Sequence, residues 1–218
     1  MSLKPQPIDD GLLIIFEGID GAGKSTQVEL SREALESEGW PVQTSRNLGG
    51  TPIGEALRQV IKSPLERPSP TNLYISVAIQ EALIGAIDSS RGRGNIILMD
   101  RGPLSLAAYE IYGGGLDASL GWPHVDDGME RLRPELAIFY KADVTTALQQ
   151  AKQKRHRADY FESQPPSYFD RVAKGYEAAA KRYAKQVKTV DGGQSIEAVQ
   201  AETISLIRRA LDQKLRRR

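Results

Sequence analysis

The stretch that decides the fold is Leu12-Leu-Ile-Ile-Phe16, followed at once by Gly18-Ile-Asp-Gly-Ala-Gly-Lys-Ser25. The apolar run is short and bounded by glycines, which is typical of a strand buried on both faces, as in a parallel sheet. The second part fits the pattern G-x-x-x-x-G-K-[S/T], and residues 24–38 after it have helical character. A strand, a glycine-rich loop and a helix in this order predict a backbone that wraps closely around a polyphosphate.

This loop indicates a site for a nucleoside triphosphate, because a chance glycine turn rarely has both the spacing and the flanking elements. Lys24 would neutralise charge on the β- and γ-phosphates, and the Ser25 hydroxyl can bind Mg²⁺. Asp100 ends the apolar run Ile96-Ile-Leu-Met-Asp100, where it suits either a magnesium site or a helix cap. We therefore predict ATP and Mg²⁺ as ligands, with Ser25 and Asp100 at the metal. The predicted ATP-binding residues are Gly18, Gly21, Ala22, Gly23, Lys24, Ser25 and Thr26.

Strands alternate with helices along the rest of the chain. Four further short strands are predicted at 41–45, 95–99, 135–140 and 187–190. Helical segments separate them, and this alternation is typical of an α/β fold with a parallel sheet. We predict a loose N-terminal tail over residues 1–10 and a single domain over residues 11–218.

Composition limits the classes of function. The chain has 218 residues, 40% of them hydrophobic, which is enough for one domain with a sizeable core. Its 29 Lys and Arg nearly balance its 28 Asp and Glu, which excludes a nucleic-acid binder that works by bulk charge. The lack of cysteine excludes disulfides, thiolate zinc sites and thiol nucleophiles. No apolar run reaches the roughly 18 residues of a membrane span, and no signal-peptide pattern is present. We expect a cytoplasmic protein without nucleic-acid or membrane partners.

The phosphate loop does not say where the phosphate goes, and other features favour a small-molecule kinase. The guanine-reading pattern Asn-Lys-x-Asp of GTPases is missing, and motor or transporter ATPases are normally larger. Phosphoryl transfer gathers negative charge, so it needs several cations that close over the site and exclude water. The basic stretch Lys152-Gln-Lys-Arg-His-Arg157 suits a mobile lid, predicted at about 151–163. A solvated charged face is the alternative interpretation of this stretch.

A further set of motifs follows in a fixed order: Phe16-Glu-Gly-Ile-Asp-Gly-Ala-Gly-Lys-Ser-Thr-Gln27, Gly49-Gly-Thr-Pro-Ile-Gly54, Asp100-Arg-Gly-Pro-Leu-Ser-Leu-Ala-Ala-Tyr109, Arg133-Pro-Glu-Leu136 and Asp159-Tyr-Phe-Glu162. This ordered set resembles the thymidylate (dTMP) kinase family over about residues 12–210. The resemblance implies a P-loop NTPase fold with a five-stranded parallel sheet and a homodimer. It also implies ATP-dependent phosphorylation of dTMP to dTDP.

The resemblance assigns roles on the acceptor side of the site. It implies that Asp20 lies near the sugar 3′-hydroxyl, that Arg46 and Arg101 hold the acceptor phosphate, and that Tyr109 packs under the deoxyribose. The predicted substrate-binding residues are Asp20, Arg46, Gln80, Arg101, Ser105 and Tyr109.

On the donor side, some members of the family carry an arginine inside the phosphate loop, where this chain has Gly21. The chain resembles the bacterial type, whose lid supplies that arginine, so Arg155 and Arg157 are the candidates. Guanidinium groups suit phosphate oxygens well because they bind them in a bidentate manner. The predicted catalytic residues are Lys24, Arg101, Arg155 and Arg157.

Several substrate-reading positions depart from the family pattern. The family usually has an aromatic residue and, four residues later, an arginine on its third helix, where this chain has Ser76 and Gln80. Gln80 can still donate to and accept from a base edge, but Ser76 cannot stack on a base. Gly102 and Tyr160 replace a tyrosine and a lid-end arginine. Two alternatives to dTMP phosphorylation therefore stay open: another nucleotide or small acceptor, or a weakly catalytic ATP-binding regulator.

Overall fold

The core of the molecule is a five-stranded sheet with the order β2-β3-β1-β4-β5, in which all neighbouring strands are parallel. The computed structural model describes residues 8–153, 160–161 and 164–216. The strands are β1 (Leu12–Glu17), β2 (Val42–Arg46), β3 (Ile96–Asp100), β4 (Leu136–Lys141) and β5 (Val187–Asp191). The predicted α/β fold with a five-stranded parallel sheet is therefore confirmed.

Helices lie between the strands in sequence: α1 (Lys24–Ser37), α2 (Pro52–Lys62), α3 (Ser69–Arg91), α4 (Pro103–Leu106), α5 (Ala118–Leu132), α6 (Val144–Gln153), α7 (Pro166–Arg182) and α8 (Ile196–Arg216). A π-helix, Ala107–Gly113, continues α4 without a break. The sequence predicted helical structure here but not the wider π-type turn. Within the described residues, no helix combines the length and the apolar character needed to cross a membrane.

Strand register brings the ends of three strands together. Phe16 of β1 pairs with Asp100 of β3, and Asp100 pairs in turn with Arg46 of β2. The carboxyl ends of parallel strands share one edge of a sheet, and ligands of α/β folds bind there. The phosphate loop after β1 and the Asp100-Arg101 pair after β3 are therefore neighbours, as the sequence predicts.

Residues 8–10, which the sequence assigns to a loose tail, are packed against the domain. The Ile8 side chain is buried, and its carbonyl oxygen accepts a hydrogen bond of 3.0 Å from the Gly11 amide. Asp10 forms a 3.4 Å ion pair with the buried guanidinium of Arg91. Residues 1–7 of the predicted tail lie outside the described residues, and the division into a tail and one domain stays a prediction.

The contact of α7 with the π-helix depends on Gly175. A Cβ atom there would lie 2.7 Å from Ala108 Cα and 2.9 Å from Tyr112 Cβ. Because close-packed interiors cannot absorb an extra methyl, we expect Gly175→Ala to lower the free energy of unfolding by about 1–3 kcal/mol. Gly85 of α3 is the matched control, since a Cβ there meets nothing within 4 Å. Gly85→Ala should raise the same free energy by about 0.5–1 kcal/mol through helix propensity.

Urea denaturation of both variants measures the two changes. Equal effects of Gly175→Ala and Gly85→Ala would contradict the close contact between α7 and the π-helix.

Candidate functional site

A cavity of about 320 Å³ opens at the carboxyl edge of the sheet. Its first end is formed by the phosphate loop with Asp100, and its second end by α2, α3, the π-helix and Phe161. Predicted site residues that line it are Asp20, Gly21, Gly23, Lys24, Ser25, Thr26, Arg46, Asp100, Arg101, Ser105 and Tyr109. The cavity therefore joins the predicted donor site to the predicted acceptor site.

The phosphate loop approaches its surroundings closely and carries a buried lysine. Gly23, at the N-cap of α1, has φ 85°, a left-handed conformation that favours glycine. Gly21 passes so close to α6 that a Cβ would lie 1.8 Å from the Ala147 carbonyl oxygen. The Lys24 ammonium donates to the Ile19 carbonyl at 2.8 Å. Burial, assisted by the charge of Arg101, lowers the pKa of Lys24 to about 8. A bound polyphosphate would supply the negative charge that favours the ammonium form.

Ser25 and Asp100 provide oxygen donors next to the phosphate loop. The Ser25 hydroxyl donates to Asp100 Oδ2 at 2.7 Å, while Asp100 Oδ1 is buried without a hydrogen-bond partner among the described residues. Hydroxyl and carboxylate oxygens are the ligands that Mg²⁺ prefers, and the ion usually takes only one or two from protein. Groups of three or more His, Asp and Glu side chains that could hold a metal are lacking in the described part of the chain. The donor set therefore fits Mg²⁺ bound together with a nucleotide.

Arg101 is the centre of the second half of the site. Its side chain is only 16% exposed, and its backbone has φ 67°. One terminal nitrogen, Nη1, donates to the Gly18 carbonyl at 3.0 Å and to the Tyr176 hydroxyl at 2.6 Å. The other, Nη2, donates to Asp20 at 2.9 Å and to the Tyr109 hydroxyl at 3.0 Å. Nη1 also donates to the Ser105 hydroxyl at 3.3 Å, so the structure brings together four of the predicted substrate-binding residues.

A second group of cations comes from β2 and α2. Arg46 makes a bidentate contact with Glu55, at 3.0 and 2.8 Å, and this contact lowers the pKa of the Glu55 carboxyl. Arg58 and Lys62 also line the cavity, although the sequence analysis did not single them out. Their spacing of four residues places both on one face of α2, directly after the Gly-Gly-Thr-Pro segment. That spacing was the signal that could have identified them.

Ser76 and Gln80, the two positions of α3 that depart from the family pattern, have different surroundings. Ser76 lines the cavity. Gln80 is 1% exposed, and its amide donates to the His124 carbonyl at 3.4 Å. A Cβ at Gly128 of α5 would lie 2.6 Å from the Gln80 amide atoms, so this side chain packs on α5. Gln80 is not among the residues that line the cavity, and its contact with a base stays a prediction.

Glu110 of the π-helix is a buried acid in the cavity wall, and no prediction included it. The residue is 3% exposed. Burial raises the pKa of its carboxyl to about 8, while the charge of Arg67 and a hydrogen bond with Asn72 act in the opposite direction. The carboxyl therefore carries a proton at neutral pH.

The predicted lid is described only at its ends. Arg155 and Arg157 lie outside the described residues. At the far end, the Arg67 guanidinium lies 4.4 Å from the centroid of the Tyr160 ring. The next residue, Phe161, packs edge-on against Tyr109 at a centroid distance of 5.6 Å. This end of the predicted lid therefore contacts the acceptor half of the cavity.

A phosphate loop at the edge of a parallel sheet, facing a cluster of arginines across one cavity, defines a nucleotide-binding phosphotransferase. Comparisons with known proteins identify the family. The thymidylate kinase family model matches residues 16–203. Thymidylate kinase of Alkalilimnicola ehrlichii is 34% identical over 192 residues, covering 87% of this chain and 88% of the relative. Thymidylate kinase of Gluconobacter oxydans is 34% identical over 206 residues, covering 92% and 96%.

A solved structure agrees with these relatives. The crystal structure of thymidylate kinase from Ehrlichia chaffeensis superposes with a TM-score of 0.71 at 26% identity, covering 91% of this chain and 98% of that one. The chain belongs to the thymidylate kinase family. The family resemblance stated from the motifs is confirmed, and with it the assignment as a kinase.

The raised pKa of Glu110 predicts that the stability of the protein depends on pH. Its pKa rises from 4.5 to about 8 on folding, so between these values the native protein binds a proton that the unfolded chain has lost. Stability then falls as the pH rises through this window. Glu110→Gln keeps a donor and an acceptor but does not titrate. Its stability relative to the wild type should increase between about pH 5 and pH 8 by on the order of 1–4 kcal/mol.

Urea denaturation at both pH values measures this difference. Glu81→Gln is the control, because Arg131 lowers the pKa of the Glu81 carboxyl, which is therefore ionised in the native and unfolded states throughout this window, and its difference from the wild type should stay constant. A constant difference between Glu110→Gln and the wild type across the window would show that Glu110 is ionised in the native protein.

Proposed function

We propose that this chain is an ATP-dependent thymidylate kinase, which transfers the γ-phosphate of ATP to dTMP and forms dTDP. The observation that carries this proposal is the single cavity that joins the phosphate loop to Arg101, Asp20 and Tyr109. A donor and an acceptor nucleotide can meet there end to end. Membership of the thymidylate kinase family favours dTMP over the two alternatives left open by the sequence.

In this proposal the phosphate loop binds ATP. Backbone amides of the loop and the N-terminus of α1 supply fixed positive potential, and Lys24 adds a charge at the β- and γ-phosphates. Ser25 and Asp100 hold Mg²⁺ at the same place. The bound ion supplies positive charge to the phosphate oxygens. The residues assigned to ATP are Gly18, Gly21, Ala22, Gly23, Lys24, Ser25 and Thr26.

The acceptor monophosphate binds at the other end. Arg101, Arg58 and Arg46 hold its phosphate. The ion pair of Arg46 with Glu55 is exposed, so replacing it by a contact with the phosphate costs little free energy. Asp20 accepts from the sugar 3′-hydroxyl. The Tyr109 ring packs under the deoxyribose and disfavours a 2′-hydroxyl. Ser105 belongs to the same group through its contact with Arg101, at 3.3 Å.

Transfer in this site needs positioning and electrostatic stabilisation rather than a covalent intermediate. Lys24 and Arg101 flank the phosphoryl group that moves. Arg155 and Arg157 of the lid close over it and exclude water, which would otherwise hydrolyse ATP. These two arginines are assigned from the resemblance, since they lie outside the described residues.

A homodimer is a further part of the proposal. Large apolar side chains are exposed on α2 and α3, at Ile53, Val60 and Tyr74, and such residues are common where protein surfaces meet. Sedimentation velocity at micromolar concentration checks the oligomeric state. A cytoplasmic location and the lack of nucleic-acid and membrane partners stay predictions.

Loss of the phosphate-loop lysine should abolish most of the activity. We expect Lys24→Ala to lower kcat by about 10²–10³-fold, because one preorganised cation is removed from the developing charge. Lys188→Ala is the matched control, an exposed lysine of β5 outside the cavity, and it should keep wild-type turnover. A coupled assay of ADP formation measures both, with thermal melting to verify folding. Near-normal turnover by Lys24→Ala would refute the assignment of the loop.

The acceptor is identified by a panel of monophosphates with Mg-ATP: dTMP, dUMP, dCMP, dAMP, dGMP and UMP. We expect dTMP to have the highest kcat/KM and UMP to be a poor acceptor, because the Tyr109 ring disfavours its 2′-hydroxyl. If another monophosphate has a higher kcat/KM than dTMP, that monophosphate is the preferred acceptor and the assignment of dTMP is wrong. Tight ATP binding without transfer to any of the six would favour the regulator.

A further inference from the structure

A chain of hydrogen bonds leads from Arg101 down to a carboxylate in the core. Arg101 Nη1 lies 2.6 Å from the Tyr176 hydroxyl, which lies 2.7 Å from Ser105 Oγ. Ser105 Oγ lies 2.6 Å from Glu17 Oε2. The side chains of Glu17 and Tyr176 have no solvent exposure. No motif of the sequence assigned a role to either of them, although both touch the predicted substrate-binding residues.

The direction of these hydrogen bonds is fixed at both ends. An arginine can only donate, and at the other end the Ser105 hydroxyl donates to Glu17 Oε2. Arg101 therefore donates to Tyr176, Tyr176 donates to Ser105, and Ser105 donates to Glu17. Each hydroxyl is polarised in the same sense, which strengthens its neighbours in a medium of low dielectric constant. Glu17 is thus linked to the guanidinium through Ser105, which contacts Arg101 Nη1 at 3.3 Å and also reaches it through the Tyr176 hydroxyl.

Donors face both oxygens of the Glu17 carboxyl. Burial raises the pKa of this carboxyl above its ordinary value, and the hydrogen bond from Ser105 and the positive charges nearby offset only part of that effect. The Gly102 amide donates to Glu17 Oε1 at 2.8 Å, in addition to the bond from Ser105. The cations of Arg101 and Lys24 also favour a carboxylate at this place. Glu17 is therefore a fully bonded acceptor under the arginine.

Neighbouring residues hold Glu17 and Tyr176 in place. At Gly102 a Cβ would lie 2.8 Å from Ile15 Cγ2 and 3.3 Å from Glu17 Oε1, so a side chain there would crowd β1 and the carboxyl that the Gly102 amide contacts. Tyr176 stacks on Phe139 of β4 at 5.5 Å, with 15° between the rings. Its hydroxyl is therefore held in one position beside Arg101.

We propose that Glu17 and Tyr176 are positioning residues, which act through Ser105 to hold the Arg101 guanidinium in the orientation that receives the acceptor phosphate. The inference rests on the proposed function and names residues that this function did not include. A long arginine side chain has many rotamers, and fixing it before the substrate binds lowers the entropy cost of binding. The hydrogen-bond chain supplies that restraint from the core, where the side chains of Glu17 and Tyr176 are buried.

Tyr176→Phe tests the proposal because it removes one hydroxyl and leaves the stacked ring. Tyr140→Phe is the matched control: Tyr140 is equally buried, stacks on Phe16 at 6.0 Å, and loses a 3.0 Å hydrogen bond with Thr203. Both variants should lose similar stability in thermal melts. Because a hydrogen bond to a charged group is stronger than one between neutral groups, kcat/KM for dTMP should fall about 10-fold in Tyr176→Phe and less than about 2-fold in Tyr140→Phe. The KM for ATP should stay unchanged in both.

A double substitution separates positioning from packing. Lysine cannot make the paired contacts of the guanidinium, so in an Arg101→Lys background the further change Tyr176→Phe should cost less than about 2-fold. Ser105→Ala interrupts the chain at its middle and provides a second route if Tyr176→Phe folds poorly. An equal loss of kcat/KM in both backgrounds, or the same loss in Tyr140→Phe, would overturn the proposal.

Calorimetric titration with dTMP gives a readout that does not depend on turnover. We expect the Kd for dTMP to rise about 10-fold in Tyr176→Phe and to stay within about 2-fold of the wild type in Tyr140→Phe. If the wild type binds dTMP but transfers no phosphate to it, the proposed function fails while this comparison still tests the positioning role. An unchanged Kd together with an unchanged kcat/KM in Tyr176→Phe would reject it.

Discussion

The buried guanidinium of Arg101 is the interaction on which the rest of the site depends. A charged group removed from water is tolerated only when its donors are bonded and its charge is balanced. Gly18, Asp20 and the tyrosines of the π-helix and α7 satisfy these conditions. The backbone amide of Arg101 also donates to the Phe16 carbonyl at 2.8 Å, which ties the segment after β3 to β1. Sheet, phosphate loop and helices therefore meet around one side chain.

Charge balance explains why carboxylates are placed among the cations of the cavity. Arg46 faces Glu55, and Arg101 faces Asp20, so that the positive groups do not repel one another in the absence of phosphate. The pKa of Lys24 is about 8 because the nearby carboxyl groups do not fully compensate for the desolvation of its ammonium group. Negatively charged nucleotides complete this balance. The same electrostatic requirement links the donor half of the site with the acceptor half.

The fold could be predicted from the sequence because its signals are local. All five strands and the phosphate loop were predicted, and β1, β3 and β4 stand out as buried apolar runs. The orientation of side chains on helices could not be predicted in this way. Gln80 faces α5 because Gly128 leaves space for its amide, and this fit joins residues distant in sequence. Arg58 and Lys62 reach the cavity because of how α2 packs. The π-helix could not be predicted either, because a shift in the pattern of backbone hydrogen bonds leaves no signal in the amino-acid composition.

The close approach of Gly21 to α6 has a consequence for the evolution of the donor site. Some members of the family carry an arginine at this position, but here a first side-chain atom would collide with the Ala147 carbonyl. Its backbone angle of 83° is also one that other residues adopt only with strain. A single exchange cannot convert this chain to the arginine-loop type. Helix α6 would have to be displaced first, so the two types are separated by a backbone rearrangement rather than by one codon.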